Sequence, residues 1–387
     1  MDRRTFIKTL AGTACACGLS ELSPGSRPVS AAAQPPSGRA APEAFSDSSP
    51  GGVREARYYS RLKDREIRCD LCPRQCQVGD RERGYCGVRE NRGGTYCTLT
   101  YGRPCAVHVD PIEKKPFFHF CPGSTAFSIA TAGCNMNCKY CQNWDISQSR
   151  PEQVRSMPLG PRECATRARE SGALSIAYTY SEPVVFFEYM SDTADQARAQ
   201  GLRNAMVSAG FIQEVPLKDL LTRLDAVKID LKAFSDAFYR DVCRGRLDPV
   251  LKTLVTVRKA GVWLEIVYLV LPTLNDSEKE TRDLCRWIAS ELGPEVPVHF
   301  TRFFPTYLLK NLPPTPVDTL ERMHGIAKSE GLLFPYVGNV PGHPAESTSC
   351  PGCNTPLVRR SGFNVRIEGL KEGRCGKCGR KVAGLWV

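Results

Sequence analysis

Between Ser124 and about Gly342, short runs of apolar and β-branched residues alternate with longer stretches whose apolar positions recur every three to four residues. The first pattern predicts strands near 126–132, 175–181, 204–209, 226–232, 262–270 and 297–303; the second predicts helices that include 184–200, 215–223, 277–291 and 318–329. Alternation of this kind implies a parallel sheet. Six strand–helix units suggest an α/β protein built on a partial (β/α)6 barrel of the TIM type, occupying residues 124–342. One strand breaks the expected pattern. In Val227-Lys228-Ile229-Asp230-Leu231-Lys232 the apolar residues share one face and the charged residues the other. A buried parallel strand should be apolar on both faces. The charged face therefore suggests a lumen that holds a polar ligand, the alternative being an exposed ion pair on a short edge strand.

Cysteine usage changes the picture most. The 387 residues include 19 cysteines, mostly clustered in closely spaced pairs. A disulfide-stapled core is not expected in so large a domain, so metal ligation is the better reading. Directly after the first predicted strand comes Gly133-Cys134-Asn135-Met136-Asn137-Cys138-Lys139-Tyr140-Cys141. Three thiolates this close on one loop can hold three corners of an iron–sulfur cube and leave the fourth iron without a protein ligand. An open position is what catalysis requires. A zinc ion with a distant fourth ligand is the alternative. Such a loop belongs at the carboxyl mouth of a barrel, where these folds place their chemistry.

The Cys134-x₃-Cys138-x₂-Cys141 run, with an aromatic residue, Tyr140, before the third cysteine, resembles the radical SAM superfamily. The longer segment Cys141-Gln142-Asn143-Trp144-Asp145-Ile146-Ser147 resembles the branch related to pyruvate formate-lyase activating enzymes. Five further segments are similar to the AmmeMemoRadiSam system radical SAM enzymes: Tyr101-Gly102, Asp110-Pro111-Ile112-Glu113-Lys114-Lys115-Pro116, Thr179-Tyr180-Ser181-Glu182-Pro183, Ile229-Asp230-Leu231-Lys232 and Val337-Gly338-Asn339. The resemblance implies a radical SAM barrel with a [4Fe–4S] cluster on Cys134, Cys138 and Cys141. It also implies reductive cleavage of S-adenosylmethionine (SAM) to a 5′-deoxyadenosyl radical that abstracts hydrogen from a substrate. A low-potential electron donor of flavodoxin or ferredoxin type would be needed. The substrate, a protein or a small molecule, is not named. No ferredoxin-like insertion follows Cys141, so activation of a glycyl-radical partner is only one option.

The resemblance also assigns residues to SAM. Tyr140 belongs to the cluster motif, and Asp230 and Lys232 help bind SAM. Tyr180-Ser181-Glu182 aligns with the segment that contacts the SAM amino group, although Glu182 could simply favour the following helix N-terminus. His299 resembles a histidine near the SAM ribose, a satisfied core histidine being the alternative. Ser208 stands where relatives usually have an Asn-Gly pair. Ala209 departs from that pattern and puts a polar contact there in doubt.

The flanks carry the remaining cysteines. Cys350-x₂-Cys353 and Cys375-x₂-Cys378 form a zinc-ribbon pattern within a module at 343–387, read as a structural zinc site. Cys69-x₂-Cys72-x₃-Cys76 with Cys86, in a cysteine-rich segment at 54–123, fits zinc or an auxiliary iron–sulfur cluster, with zinc preferred. Cys97, Cys105, Cys121, Cys164, Cys243 and Cys285 lack ligand spacing and read as buried thiols.

The formal net charge of +11 would suit a nucleic-acid partner. Two zinc–thiolate sites and one cluster would bring it to about +6. No aromatic or basic recognition stripe accompanies it, so no nucleic acid is indicated. No stretch approaches the ~20 apolar residues of a membrane span. Residues 1–33, with Arg3-Arg4 and Ala31-Ala32-Ala33, resemble a twin-arginine export signal, and 34–53 read as a disordered linker. SAM and the electron donor are cytosolic, so the chemistry favours the cytoplasm and the signal favours the periplasm. A non-catalytic, zinc-stabilised binding protein is the competing functional class.

Overall fold

The computed structural model describes residues 52–386. The twin-arginine-type segment and linker residues 34–51 lie outside the described residues. At its centre is a mixed eight-stranded sheet in simple sequential order: β1 (Ala106–Pro111), β2 (Thr125–Ala130), β3 (Ser175–Tyr178), β4 (Arg203–Ser208), β5 (Ala226–Asp230), β6 (Trp263–Val270), β7 (Val298–Arg302) and β8 (Pro335–Gly338). β1 pairs with β2 antiparallel, and every later neighbour is parallel.

All six strands expected from the apolar runs are present as β2 to β7. The structure adds β8 and the antiparallel β1, so the sheet is longer than six units at both edges. β8 holds only four residues and starts at a proline, too little for a periodicity to register. Among the described residues, no pairing joins β1 to β8.

Helices cross between the parallel strands: α1 (Pro161–Glu170), α2 (Phe187–Ala199), α3 (Glu214–Leu221), α4 (Leu247–Lys259), α5 (Glu278–Glu291) and α6 (Val317–Ser329). The four expected helices appear within a few residues of their predicted ends, α2 being entered through a 3-10 turn at Pro183–Phe186. Proline serves at the first turn of α1, where its missing N–H costs nothing. Ser277 caps α5 by accepting from the Glu280 N–H. No helix among the described residues is long and apolar enough to cross a membrane.

The two faces of the sheet differ as period two requires. Phe127, Ile129, Ile176, Met206, Val227, Ile229, Leu264 and Ile266 join the helices' Leu217, Leu220, Val250 and Leu254 in one large apolar core. Small residues fill the other face at the amino ends of the strands. There Ala126, Ala177, Ala205 and Ala226 pack against Ile112, Phe117 and Phe120 from the β1–β2 connection.

That connection also meets the C-terminal segment. Leu385 exchanges backbone hydrogen bonds with His119 and Cys121, and the buried Arg360 donates to the Phe118 carbonyl at 2.6 Å. Phe118, Phe334, Tyr336, Leu357 and Val382 form the shared apolar seam. The N-terminal cysteine segment lies against α2. Buried Arg89 meets Glu188 through two hydrogen bonds of 2.6 and 2.8 Å, while Arg54 and Arg57 reach Asp192.

Candidate functional site

In a parallel sheet all carboxyl ends open on one edge, the usual place for a ligand. The residues singled out from sequence gather there. Cys134, Cys138 and Cys141 follow β2, Glu182 follows β3, Ser208 ends β4, and Asp230 and Lys232 close β5. The cysteine loop begins at Gly133, whose φ is +93° and where an added Cβ would come 2.5 Å from Val88 and 2.8 Å from the Cys86 carbonyl oxygen. Only glycine fits. Further along, the Asn137 and Lys139 amides donate to the Cys243 and Val242 carbonyls at 3.0 and 2.9 Å, pinning the loop to the turn of π-helix at Tyr239–Cys243.

The alternation on β5 persists in three dimensions. Val227, Ile229 and Leu231 sit in the helix-side core, whereas Lys228 and Lys232 converge on the Asp230 carboxylate from the opposite face, Lys232 at 2.9 Å. Burial opposes charge on Asp230, but the two ammonium groups bring its pKa down to about 2. Burial likewise opposes charge on Lys232, yet Asp230 and the neighbouring Cys138 hold it above the ordinary lysine range. This is a largely buried ion triad on an inner strand rather than an exposed edge pair.

Glu182 is fully buried. Its carboxylate accepts from Ser208 Oγ at 2.6 Å, from the Ala209 amide at 2.8 Å and from the Val184 amide at 3.1 Å. Burial pushes its pKa up despite those three donors and nearby Lys232. Glu182 caps the turn at Pro183–Phe186, as the helix-terminus reading expects, and it also stands beside Cys134, whose thiol it helps to push up. Ser208 is present at the site as the partner of Glu182.

Tyr140 is buried, with its hydroxyl 3.5 Å from Cys243 Sγ. Cys243 also neighbours Cys138, so this thiol, expected to be a buried cysteine without ligand spacing, lies at the three-cysteine loop. Its placement depends on a contact between segments more than a hundred residues apart, which no local spacing could reveal.

His299, the second residue of β7, lies in register with Asp230 through Val267 of β6, and its Nε2 meets Glu265 at 2.8 Å. Glu265, fully buried, also accepts from the Phe118 and His119 amides and from Trp263 Nε1. His299 stacks on Tyr336, and its Nδ1 is buried without a partner. A second polar group stands on β1: Asp110 pairs with Lys114 and Lys115 and accepts from the Tyr180 hydroxyl. Burial lowers the Lys115 pKa to about 8.

Sulfur geometry distinguishes the cysteine sets. The Sγ atoms of Cys350, Cys353, Cys375 and Cys378 all lie within 4.8 Å of one another, the spacing of ligands around one ion. Among the described residues no other cysteine set converges so tightly, and Cys134, Cys138 and Cys141 do not. None of the cysteines among the described residues forms a disulfide.

The Radical SAM superfamily profile matches residues 128–285, the stretch that carries the three-cysteine loop, Glu182, Ser208, Asp230 and Lys232. An uncharacterized protein of Methanocaldococcus jannaschii is 43% identical over 332 residues, spanning 85% of this chain and 99% of the relative. The chain belongs to the radical SAM superfamily. Its likeness to the pyruvate formate-lyase-activating enzyme of Clostridium pasteurianum is more distant, 25% over 162 residues, covering 40% of this chain and 66% of that one. Among solved structures, a domain of the pyruvate-formate lyase-activating enzyme from Bacteroides vulgatus matches with a TM-score of 0.39 at 16% identity, covering 43% of this chain and 99% of that one. A radical SAM methyltransferase from Sphaerobacter thermophilus matches with a TM-score of 0.44 at 16% identity, covering 55% and 66%. Membership in the radical SAM superfamily implies a [4Fe–4S] cluster and SAM.

Proposed function

We propose that this radical SAM protein binds a [4Fe–4S] cluster through Cys134, Cys138 and Cys141, cleaves SAM reductively and abstracts hydrogen from a protein or small-molecule substrate. The observation that carries the reading is the convergence of the three-cysteine loop, Glu182 and the Asp230–Lys232 pair at one edge of the sheet. When bound, the cluster with its open iron supplies the electron that splits SAM into methionine and a 5′-deoxyadenosyl radical. Lys232 and Asp230, beside Cys138, offer a fixed cation and carboxylate to the polar end of SAM. The buried Glu182, held by Ser208 and two amides, offers a second carboxylate to an ammonium group. Tyr140 and the Cys243 turn close the back of the loop and exclude water. A low-potential carrier of flavodoxin or ferredoxin type would reduce the protein.

Anaerobic protein reconstituted with iron and sulfide should form 5′-deoxyadenosine when given SAM and dithionite. Cluster-loaded protein that forms none would favour a non-catalytic, zinc-stabilised binding protein. SAM and the donor are cytosolic, so we assign activity to the cytoplasm. Fractionation that finds processed, periplasmic protein would overturn this assignment.

Asp230→Ala should leave the cluster intact and weaken SAM binding by roughly 1–3 kcal/mol, the cost of a lost charge-assisted hydrogen bond. Lys232→Ala should behave alike. Leu231→Ala, on the core side, should reduce stability without a specific loss of SAM. The cofactor face is misassigned if SAM titrations respond to Leu231→Ala and ignore the other two.

The C-terminal quartet we assign to one structural zinc, whose binding energy is folding energy. Cys375→Ser should remove about one zinc per chain and lower the melting temperature while iron is retained. Unchanged zinc content would refute the assignment. The His299 ribose contact stays part of the proposal through its free Nδ1 alone, since Nε2 is committed to Glu265.

A further inference from the structure

Cys69, Cys72, Cys76 and Cys86 line one cavity together with Tyr96 and Asn135. Four thiolates around one zinc ion at about 2.3 Å place their sulfurs about 3.8 Å apart. The C-terminal quartet does this, with Cys350–Cys378 and Cys353–Cys375 sulfur separations of 3.6 Å. No three of the N-terminal cysteines come within the 4.8 Å that the C-terminal quartet satisfies. In this they match the Cys134, Cys138 and Cys141 set. A cube interposes irons and sulfides between its thiolates and so holds the cysteines further apart than one ion can.

We propose that Cys69, Cys72, Cys76 and Cys86 bind a second [4Fe–4S] cluster, with all four irons ligated by protein. The surroundings suit it. The Tyr85 amide donates to Cys76 Sγ at 3.4 Å, and the amides of Leu71, Arg74 and Val88 serve Cys69, Cys72 and Cys86. Such N–H···S bonds stabilise cluster thiolates. The Tyr96 hydroxyl, buried at the cavity wall, stands beside the Cys69 thiol. Arg89, buried beside Cys69 and Cys86, supplies positive charge against a four-thiolate cluster of net charge −2.

The cavity also touches the radical SAM loop. Asn135 belongs to both, Arg74 Nε donates to the Asn135 carbonyl at 2.5 Å, and Gly133 packs on Cys86 and Val88. The site is nonetheless built from its own four ligands and stands independently of the proposed SAM chemistry.

Iron, sulfide and zinc counts on the anaerobically reconstituted full-length protein test this. Wild type should hold about eight irons and about one zinc. The triple variant Cys134→Ala, Cys138→Ala, Cys141→Ala should retain about four irons, absorbance near 400 nm and a dithionite-reducible cluster signal in electron paramagnetic resonance. The double variant Cys69→Ser, Cys72→Ser should also hold about four irons, at the other site. If that double variant fails to fold, the triple variant still decides. A triple variant without iron and with a second zinc overturns the proposal, as does one with about two irons. Wild type and triple variant with equal iron would uphold this site and sink the three-cysteine reading instead.

Discussion

Cys138→Ala is expected to abolish 5′-deoxyadenosine formation outright and to remove about four irons per chain. An open cube has only three protein ligands, so no remaining thiolate on the loop can replace the lost one. The loop is pinned on both sides, by Gly133 against Val88 and by the Asn137 and Lys139 amides, and cannot slide to offer another donor. Among the described residues, Cys243 is the thiol beside Cys138 that could compete. A companion Cys243→Ala variant settles its part: iron is expected to stay, because the superfamily cluster requires an open iron. Should Cys243→Ala also strip the iron, the site would have four thiolate ligands, with no iron left for SAM. Cys138→Ala protein that still cleaves SAM would refute the ligand assignment.

Glu188→Ala should be the most damaging substitution away from the cysteines. The Arg89–Glu188 pair is almost fully buried, with side-chain exposures of 1% and 2%, and Glu188 also accepts from the Arg57 amide at 2.7 Å. Removing the carboxylate leaves a buried guanidinium that cannot shed its proton, a loss of about 3–5 kcal/mol. Denaturant unfolding of the anaerobic holoprotein measures this. The double variant Arg89→Met, Glu188→Leu should recover most of the loss, since a well-packed apolar pair can replace a buried ion pair. A single-variant loss below about 1 kcal/mol would mean that water reaches the guanidinium.

Much of this architecture was legible along the chain. The strands β2 to β7 are buried on both faces over most of their length, so they announce themselves as apolar runs. The charged face of β5 was visible as alternation, and the ion triad around Asp230 is its three-dimensional form. The local spacing of Cys134, Cys138 and Cys141 likewise marked them as one set on the loop after β2.

What escaped depends on distance rather than pattern. Cys243 reaches Cys138 across the sheet, and Glu265 binds His299 and two amides of a connection almost 150 residues away. The Asp110–Lys115–Tyr180 group hid inside a segment recognised only by resemblance. The N-terminal cysteines show the limit most clearly. The same spacing serves one ion or a cube, and only sulfur separations divide the two.

Gly133 carries a consequence for how such chains can be rebuilt. A single hydrogen there lets the three-cysteine loop rest on the Cys86 carbonyl and Val88, so the N-terminal lobe forms part of the mould in which the loop is cast. That lobe is not a detachable accessory. A chain shortened to start at Ser124 would keep every proposed ligand of the open cube yet lose the surface that shapes their loop. A chimera joining this lobe to another relative's sheet would need the loop transplanted with it, as one matched part.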